Sequence, residues 1–273
     1  MAIKTHDEYA DMKELTKVVW TLGDYDELCL LTRDAAPQLM VECGVEPGHD
    51  VLEVGCGNGN FSLLAATRGA RVTACDLTPT QLERGRARGA AQGLEIEWLE
   101  ADAESLPFAD DSFDRVVTSF SAMYAPRPER VTSELLRVTR PGGVIGMANW
   151  TPEGFFGDMV RITERYAPSP FEGVPSADDW GVPQIVAKRF GDRPESLRTQ
   201  RRSLRYEFPS VDEFWAFLRR SHGVLIGAEA MLAPEQFAAM TTDLQRVFDA
   251  RNEATDGTFV TQAEFLLVVA RVR

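Results

Sequence analysis

The sequence predicts an α/β fold built on a doubly wound, mostly parallel sheet, and three observations support this. From residue 51 onward, short apolar runs of strand length alternate with helical stretches, which is typical of consecutive βαβ units. The first run leads into a glycine-rich turn at 55–59, and the second ends at Asp76. The chain has 273 residues, which is enough to bury a large core in one structural domain.

The first forty residues are predicted to form a helical extension before the core. Apolar residues recur there at helical spacing, at Tyr9, Met12, Leu15 and Val18, and then at Leu28, Leu31, Ala35 and Leu39. Trp20, Gly23 and Tyr25 also lie in this segment. They either fold over a bound ligand or belong to the core packing of the helix, and the sequence leaves both open.

Residues 41–150 are predicted to be the core of the fold. The expected strands are 51–54, 71–75, 96–99, 115–119 and 143–148, with helices at about 60–69, 79–92 and 128–139. Thr78 and Pro79 give the second helix a cap residue and a proline in its first turn. The segment 141–143, Pro-Gly-Gly, ends the third helix and turns the chain into the fifth strand.

The second half of the chain is less regular. Residues 151–200 are rich in proline and glycine, which predicts a lid or cap inserted after the fifth strand. Residues 201–273 are expected to contain the last two strands, with cap helices between them. The strands are predicted at 204–208 and 263–270, and the cap helices at about 211–220 and 234–250.

The composition excludes several classes of partner. The net charge of −13 argues against binding to nucleic acid or to an anionic membrane surface. No apolar run approaches the roughly 18 residues of a spanning helix, and residues 1–8 lack the apolar core of a signal peptide. The four cysteines contain no C-x-x-C pair, so they are not expected to bind a metal. They are expected to be free thiols in the cytoplasm, and they are Cys29, Cys43, Cys56 and Cys75.

The glycine-rich turn and Asp76 together predict a nucleotide site. Glycines let the backbone turn sharply and bring its N–H groups close to a ligand. A carboxylate at the end of the second strand accepts hydrogen bonds from the two vicinal hydroxyls of a ribose. The alternative is that Asp76 only caps the following helix.

Details of the turn favour S-adenosyl-methionine (SAM) over a nicotinamide dinucleotide. The dehydrogenase fingerprint is Gly-x-Gly-x-x-Gly, whereas the third glycine here, Gly59, comes one residue early. Glu53 stands just before the turn. Its carboxylate would repel a pyrophosphate but suits a ligand that carries ammonium and sulfonium charges.

At four linked segments the chain resembles the class I SAM-dependent methyltransferases, and within them the ubiquinone/menaquinone-type branch of small-molecule enzymes. The segments are Leu52-Glu53-Val54-Gly55-Cys56-Gly57-Asn58-Gly59, Cys75-Asp76-Leu77-Thr78, Asp102 to Phe108 with Ser112-Phe113-Asp114, and Leu136 to Gly143. The resemblance implies a Rossmann-like sheet of seven strands with the last strand antiparallel. It also implies SAM as the cofactor and S-adenosyl-homocysteine (SAH) as its product.

The resemblance further implies cofactor-binding roles for Glu53, Gly55, Cys56, Gly57, Asp76, Leu77, Asp102, Ala103, Ser119 and Phe120. Among these, Asp102 would accept a hydrogen bond from the exocyclic amine of adenine. Ser119 and Phe120 would lie beneath the reacting methyl group. The residues alone leave open that Asp102 binds its own backbone and that Ser119 is only a packing residue.

The expected function is direct, in-line methyl transfer from SAM to a small, partly hydrophobic acceptor, by a monomer or a homodimer and without a metal. His222 is the candidate general base, against the alternative of an ordinary helix-end histidine. His6 lies near the terminus and His49 before the first strand, away from the site. Candidate residues of the acceptor pocket are Tyr25, Tyr124, Trp150, Phe155 and Trp180.

Two other functions stay open at the level of the sequence. One is an NAD(P)-dependent oxidoreductase, which shares the glycine turn and the aspartate. The other is a non-catalytic module that binds SAM. The sequence does not decide whether the methyl group goes to oxygen, nitrogen or carbon.

Overall fold

A computed structural model describes residues 9–273, so His6 and the predicted terminal segment 1–8 lie outside the described residues. The strands are β1 (Asp50–Val54), β2 (Arg71–Asp76), β3 (Ile96–Glu100), β4 (Phe113–Ser119), β5 (Thr139–Trp150), β6 (Pro194–Phe208) and β7 (Phe259–Val272). The α-helices are α1 (Ala10–Thr21), α2 (Tyr25–Leu30), α3 (Ala35–Glu42), α4 (Asn60–Thr67), α5 (Pro79–Ala91), α6 (Pro128–Val138), α7 (Phe155–Tyr166), α8 (Pro183–Phe190), α9 (Val211–Ser221), α10 (Gly223–Met231) and α11 (Pro234–Arg251).

All seven strands form one sheet in the order β3-β2-β1-β4-β5-β7-β6. Strands β1 to β5 run parallel, and β7 lies antiparallel between β5 and β6. The predicted fold class, with its antiparallel last strand, is therefore confirmed. The strand order reverses between β1 and β4, and a sheet of this kind binds ligands at such a reversal, beyond the carboxyl ends of its strands.

Helices cover both faces of the sheet, which explains why the apolar residues of its central strands do not alternate strictly with polar ones. In β1, Val51, Leu52 and Val54 are all buried, so side chains on both faces of the strand pack against helices. Helix α6 shows the matching pattern from the other side. Its Val131 and Leu135 lie four residues apart on one face and are fully buried.

Strand β3 carries a tryptophan that packs against two glycines. A Cβ atom on Gly59, at the start of α4, would lie 2.5 Å from Cη2 of Trp98. A Cβ atom on Gly85, within α5, would lie 2.3 Å from Cζ3 of the same ring. The third glycine of the turn is therefore required by helix packing, and its φ of +85° is a second reason for glycine there.

The described part of the N-terminal segment contains α1, α2 and most of α3, and α1 and α2 pack against helices of the cap. Asp24 begins α2 by accepting a hydrogen bond from the backbone N–H of Glu27, at 3.1 Å. Gly23, with a φ of +73°, joins α1 to α2, and a Cβ there would lie 2.6 Å from Cδ1 of Ile226 on α10. The extension and the cap helices are thus in contact with each other over the carboxyl edge of the sheet.

Strand β6 is much longer than the predicted segment 204–208. It begins at Pro194, so the boundary that the sequence placed at residue 200 falls inside a strand. β6 is an edge strand of the sheet, and its first part carries mostly polar and charged residues, which hides the apolar period of a strand. After Pro194, no residue of β6 is buried until Leu204, which is followed by the buried Tyr206.

Arginines on β6 bind carboxylates of the neighbouring elements. Arg198 and Arg202 both contact Glu42 of α3, at 2.7 and 2.9 Å. Arg201 contacts Glu264 of β7 at 2.6 Å. Charged side chains on an edge strand oppose pairing with a further strand, so this composition suits its place in the sheet.

Two further expectations concern the described part of the chain. All four thiols are free and buried, as predicted from their spacing. Among residues 9–273, no helix combines the length and apolar character that a membrane crossing requires.

Candidate active site

Two adjoining cavities lie at the carboxyl ends of β1, β2 and β4, where the strand order reverses. The larger encloses about 180 Å³ and the smaller about 80 Å³. Both are lined by Gly55, Asp76, Ser121 and Tyr124, so they meet at the glycine turn. A wider, open depression lies at the opposite end of the strands, beside Arg71, away from the turn.

The glycine turn is fastened to the end of β2 by short hydrogen bonds. The backbone N–H groups of Gly57 and Thr78 each donate to one carboxylate oxygen of Asp76, at 2.8 Å. Gly55 and Cys56 donate to the carbonyl of Cys75, at 2.7 and 2.9 Å. Asp76 therefore shapes the turn as well as facing both cavities.

Burial sets the charge state of the carboxylates at the turn. Desolvation raises the pKa of Asp76, against the hydrogen bonds from Thr78 and Gly57, which lower it. Glu53 is only 2% exposed and accepts hydrogen bonds from the backbone N–H and the hydroxyl of Ser62. Desolvation raises the pKa of Glu53 to about 8, so its carboxyl is mostly protonated at neutral pH in the free protein.

The smaller cavity is lined by Leu77, Asp102 and Ala103, as the resemblance implies for adenine. Asp102 accepts a hydrogen bond from the backbone N–H of Glu104 at 2.9 Å, so it does bind its own loop. Its other oxygen accepts from Lys13 Nζ on α1, at 2.7 Å. Lys13 is not predictable as a site residue, because a lysine on an N-terminal helix carries no signal of a distant partner.

The larger cavity ends in an aromatic wall at the ends of β4 and β5. Phe120 has a φ of +51°, which is strained for a bulky residue. Its ring stacks on Trp150 with centroids 3.9 Å apart, and Trp150 stacks on Phe156 at 4.2 Å. Ser119 lines the same cavity. Strain at a residue that faces a cavity suggests that the position of its ring matters for function.

The predicted acceptor residues divide into two groups. Tyr25, Tyr124 and Trp150 line the larger cavity. Phe155 and Trp180 do not line it and are buried in the core instead. Phe155 packs among the rings of Phe214, Phe248 and Phe259, and the ring of Trp180 lies 4.4 Å from the Arg189 guanidinium.

Helix α7 supplies residues that the sequence analysis did not assign to the site. They line the larger cavity from one face of the helix, and they are Phe156, Met159, Val160 and Thr163. Their spacing of three, one and three residues is that of a helical stripe. Periodicity could therefore have found the group, but it could not have told a cavity from the core.

Comparisons with known proteins identify the family to which the chain belongs. The family model described as a methyltransferase domain matches residues 52–147. An uncharacterised protein of Mycobacterium tuberculosis is 40% identical over 255 residues, which cover 93% of this chain and 92% of that protein. A malonyl-[acyl-carrier protein] O-methyltransferase of Serratia marcescens is 39% identical over 123 residues, which cover 45% of this chain and 47% of that enzyme.

The chain belongs to the class I SAM-dependent methyltransferases. Its fold is similar to that of a geranyl diphosphate methyltransferase solved in complex with SAM, with a TM-score of 0.53 at 18% identity. That match covers 99% of this methyltransferase and 93% of the other chain. The family assignment decides against the NAD(P)-dependent oxidoreductase that the glycine turn alone leaves open.

The residues of this methyltransferase fit SAM. Glu53 and Asp76 present carboxyl groups to the larger cavity and Asp102 to the smaller one, and such groups can accept hydrogen bonds from an ammonium group or from ribose hydroxyls. Two side-chain oxygens of the larger cavity, Oδ1 of Asn58 and Oε1 of Gln81, are buried without a partner among the described residues. Buried polar atoms normally have partners, so these two are available to a bound ligand.

His222 also lies at the larger cavity of the methyltransferase. It precedes α10, and its Nδ1 is buried with no hydrogen-bond partner in the described part of the chain. Desolvation lowers the pKa of His222 to about 4, so its imidazole is neutral at physiological pH. Residues 9–273 contain no group of three His, Cys, Asp or Glu side chains arranged to hold a metal ion.

Proposed function

We propose that this methyltransferase moves a methyl group directly from SAM to a small, partly hydrophobic acceptor that binds in the larger cavity. One observation carries the proposal. The cavity that holds Glu53 and Asp76 continues, without interruption, to the aromatic wall of Phe120 and Trp150. Donor and acceptor would therefore lie side by side, with no need for an intermediate carrier of the methyl group.

The side chains around the cavity would bind and orient the two substrates. Bound SAM supplies a methyl group that its sulfonium already activates. Glu53 would accept from the amino group of the methionine portion, and Asp76 would hold the ribose hydroxyls. Leu77 and Asp102 would contact the adenine, and Ser119 with Phe120 would lie beneath the methyl group.

Exclusion of water is the second task of this site. The rings of Trp20, Tyr25 and Tyr124 form a cluster between α1 and the glycine turn, with centroids 6.1 and 5.3 Å from Trp20. A Cβ on Gly57 would lie 2.6 Å from the Tyr25 hydroxyl, so this ring packs directly over the turn. A closed, apolar site would favour attack by the acceptor over attack by water.

The proposal includes a cytoplasmic enzyme that acts as a monomer or homodimer, without a nucleic-acid or membrane partner. The four free thiols support a reducing compartment. The net charge of −13 supports the absence of polyanionic partners. The ubiquinone/menaquinone-type branch remains a prediction within the family.

Calorimetric titration with SAH, and with NAD and NADPH in parallel, tests the cofactor site. We expect micromolar binding of SAH alone, weakened at least about 100-fold by Asp76→Ala, because this loses both the ribose contact and the hydrogen bonds that shape the turn. Asp110→Ala is the matched control, since Asp110 is an exposed carboxylate that contacts Arg137. Binding of a nicotinamide cofactor without SAH, or SAH binding that Asp76→Ala leaves intact, would refute the proposed site.

A further inference from the structure

We propose that the acceptor is an uncharged aromatic compound whose hydroxyl group donates to Nδ1 of His222, and that this nitrogen takes the hydroxyl proton during O-methylation. This inference rests on the proposed function and adds the class of the acceptor to it. Three features of the larger cavity support it, namely its charge, its shape and the unpaired imidazole nitrogen.

The charge of the cavity argues against ionic acceptors. Among the described residues, no lysine or arginine lines it, and its only formally acidic side chains are Glu53 and Asp76 at the cofactor end. A carboxylate or phosphate acceptor would therefore be buried without a counter-charge. An ammonium acceptor would compete with SAM for the same two carboxyl groups, which are already bound by Ser62, Gly57 and Thr78.

The shape of the cavity suits a flat ring. The stack of Phe120, Trp150 and Phe156 forms one wall, and the ring planes within it lie 20° and 27° from parallel. Trp20 and Tyr124, of the aromatic cluster beside the glycine turn, line the cavity at its cofactor end. Helix α7 lines another side of the cavity, mostly with apolar groups. An aromatic body that enters this space can stack on the wall while it stays close to the reacting methyl group.

His222 is the residue of the larger cavity with an unpartnered nitrogen that can take up a proton, whereas the other two unpartnered atoms of this cavity, on Asn58 and Gln81, are amide oxygens and far weaker bases. The neighbours of His222 along α10, Val224 and Leu225, line the same cavity and offer the imidazole no hydrogen bond. Nδ1 is buried and unpartnered in the described part of the chain. A hydroxyl group of the methyl acceptor could supply the missing hydrogen bond. In the tautomer that carries its hydrogen on Nε2, Nδ1 can only accept, so its partner must be a donor, and a hydroxyl is the donor whose oxygen can then take the methyl group.

The step balances in atoms and charge. The hydroxyl oxygen attacks the methyl carbon, so that a C–O bond forms while the C–S bond breaks and its electron pair stays on sulfur. The hydroxyl proton moves to His222 only as the C–O bond forms, because the oxygen becomes strongly acidic as it gains the methyl group, and the imidazole becomes an imidazolium. One positive charge is therefore present before the step, on sulfonium, and one after it, on His222, which loses its proton to solvent when the products leave.

Binding of matched naphthalene probes to the SAH-saturated protein tests the acceptor class by calorimetry. We expect 2-naphthol to bind at least tenfold more tightly than 2-naphthoate or 2-naphthylmethylamine, because only the first is uncharged at neutral pH. Equal or tighter binding of either ion, or no binding of 2-naphthol, overturns the inference. Saturation with SAH is verified first, so that failure here is distinguished from failure of the cofactor site.

The role of His222 has its own test. We expect 2-naphthol to bind at least tenfold more tightly than 2-methoxynaphthalene, which lacks the donor hydrogen, and His222→Phe to abolish this preference. His49→Phe is the control, since His49 precedes β1 at the other end of the sheet. A preference that survives His222→Phe overturns the role of this residue. If His222→Phe methylates 2-naphthol at the wild-type rate, the proton transfer to His222 is overturned. It is also overturned if the wild-type protein does not methylate 2-naphthol at saturating SAM.

Discussion

Lys13 of α1 contacts two carboxylates of the loop after β3, with Nζ 2.7 Å from Asp102 and 2.6 Å from Glu104. The Asp102 side chain lines the smaller cavity, so α1 is one wall of the proposed adenine site. A second contact holds the same helix, because Nε2 of Gln81 donates to the carbonyl of Trp20 at 2.6 Å. The N-terminal extension is therefore part of the proposed cofactor site.

Loss of the Lys13 contacts should weaken cofactor binding. We expect Lys13→Met to reduce SAH affinity about tenfold, or ~1.4 kcal/mol, mainly through faster dissociation, because α1 would no longer be held over the cavity by a mostly buried ion pair. Calorimetry gives the affinity, and stopped-flow fluorescence gives the dissociation rate.

Lys17→Met is the matched control for this change. Lys17 lies on the same helix, but its pair with Glu100 is longer, at 3.4 Å, and Glu100 is half exposed. Exposed pairs contribute little, so the control should bind SAH within about twofold of the wild type. Equal effects of the two substitutions would show that α1 does not close the site through Lys13.

Cofactor affinity should rise with pH because of Glu53. Its pKa of about 8 in the free protein means that a proton must leave before the carboxylate can pair with the ammonium group of SAH. The form that binds is the deprotonated one, so affinity increases from pH 6 toward pH 8, by up to about tenfold per pH unit, and levels off above the pKa. Calorimetry at several pH values measures this increase.

Proton release provides an independent check on Glu53. Titration at pH 7 in two buffers of different ionisation enthalpy should show close to one proton released per SAH bound by the wild type. Glu53→Gln cannot release this proton, so its affinity should be lower and much less dependent on pH. A wild-type affinity that is flat between pH 6 and 8 would contradict the assignment of Glu53 to the amino group.

The core of the fold was predictable because its sequence pattern follows its packing. The second strand, expected at 71–75, is Arg71–Asp76, and the helix expected at 128–139 is Pro128–Val138. Central strands that are buried on both faces need continuous apolar runs, and the turns between them need glycine or proline. The same reasoning placed Asp76 at the carboxyl end of its strand, which is the edge where the cavities lie.

Side-chain direction in the cap was not predictable from the residue types. Phe155 and Phe156 are neighbours of identical chemistry, yet Phe155 faces the core and Phe156 the cavity. Successive residues of a helix point about 100° apart, so the outcome depends on the rotation of α7 against the sheet. Lys13 poses a similar problem, because its partner Asp102 is 89 residues away in the chain.

The two glycines beside Trp98 should respond differently to the same substitution. Gly85→Ala and Gly59→Ala should each destabilise the protein by ~1–3 kcal/mol, since the new Cβ would overlap the Trp98 ring. Gly59 carries a second constraint, a φ of +85°, which costs an alanine a further ~1 kcal/mol or more. Urea unfolding of the variants gives these free energies.

Trp98→Leu separates steric overlap from backbone strain. All three atoms nearest to a Cβ on Gly85 belong to Trp98, so in the Trp98→Leu background Gly85→Ala should cost nothing, or stabilise by up to ~1 kcal/mol through helix propensity. Gly59→Ala should still cost ~1–2 kcal/mol in that background, because removal of the ring leaves its φ unchanged. If Trp98→Leu rescues both substitutions equally, the glycine at 59 is required only by the tryptophan, and backbone conformation has no part in fixing the third glycine of the turn.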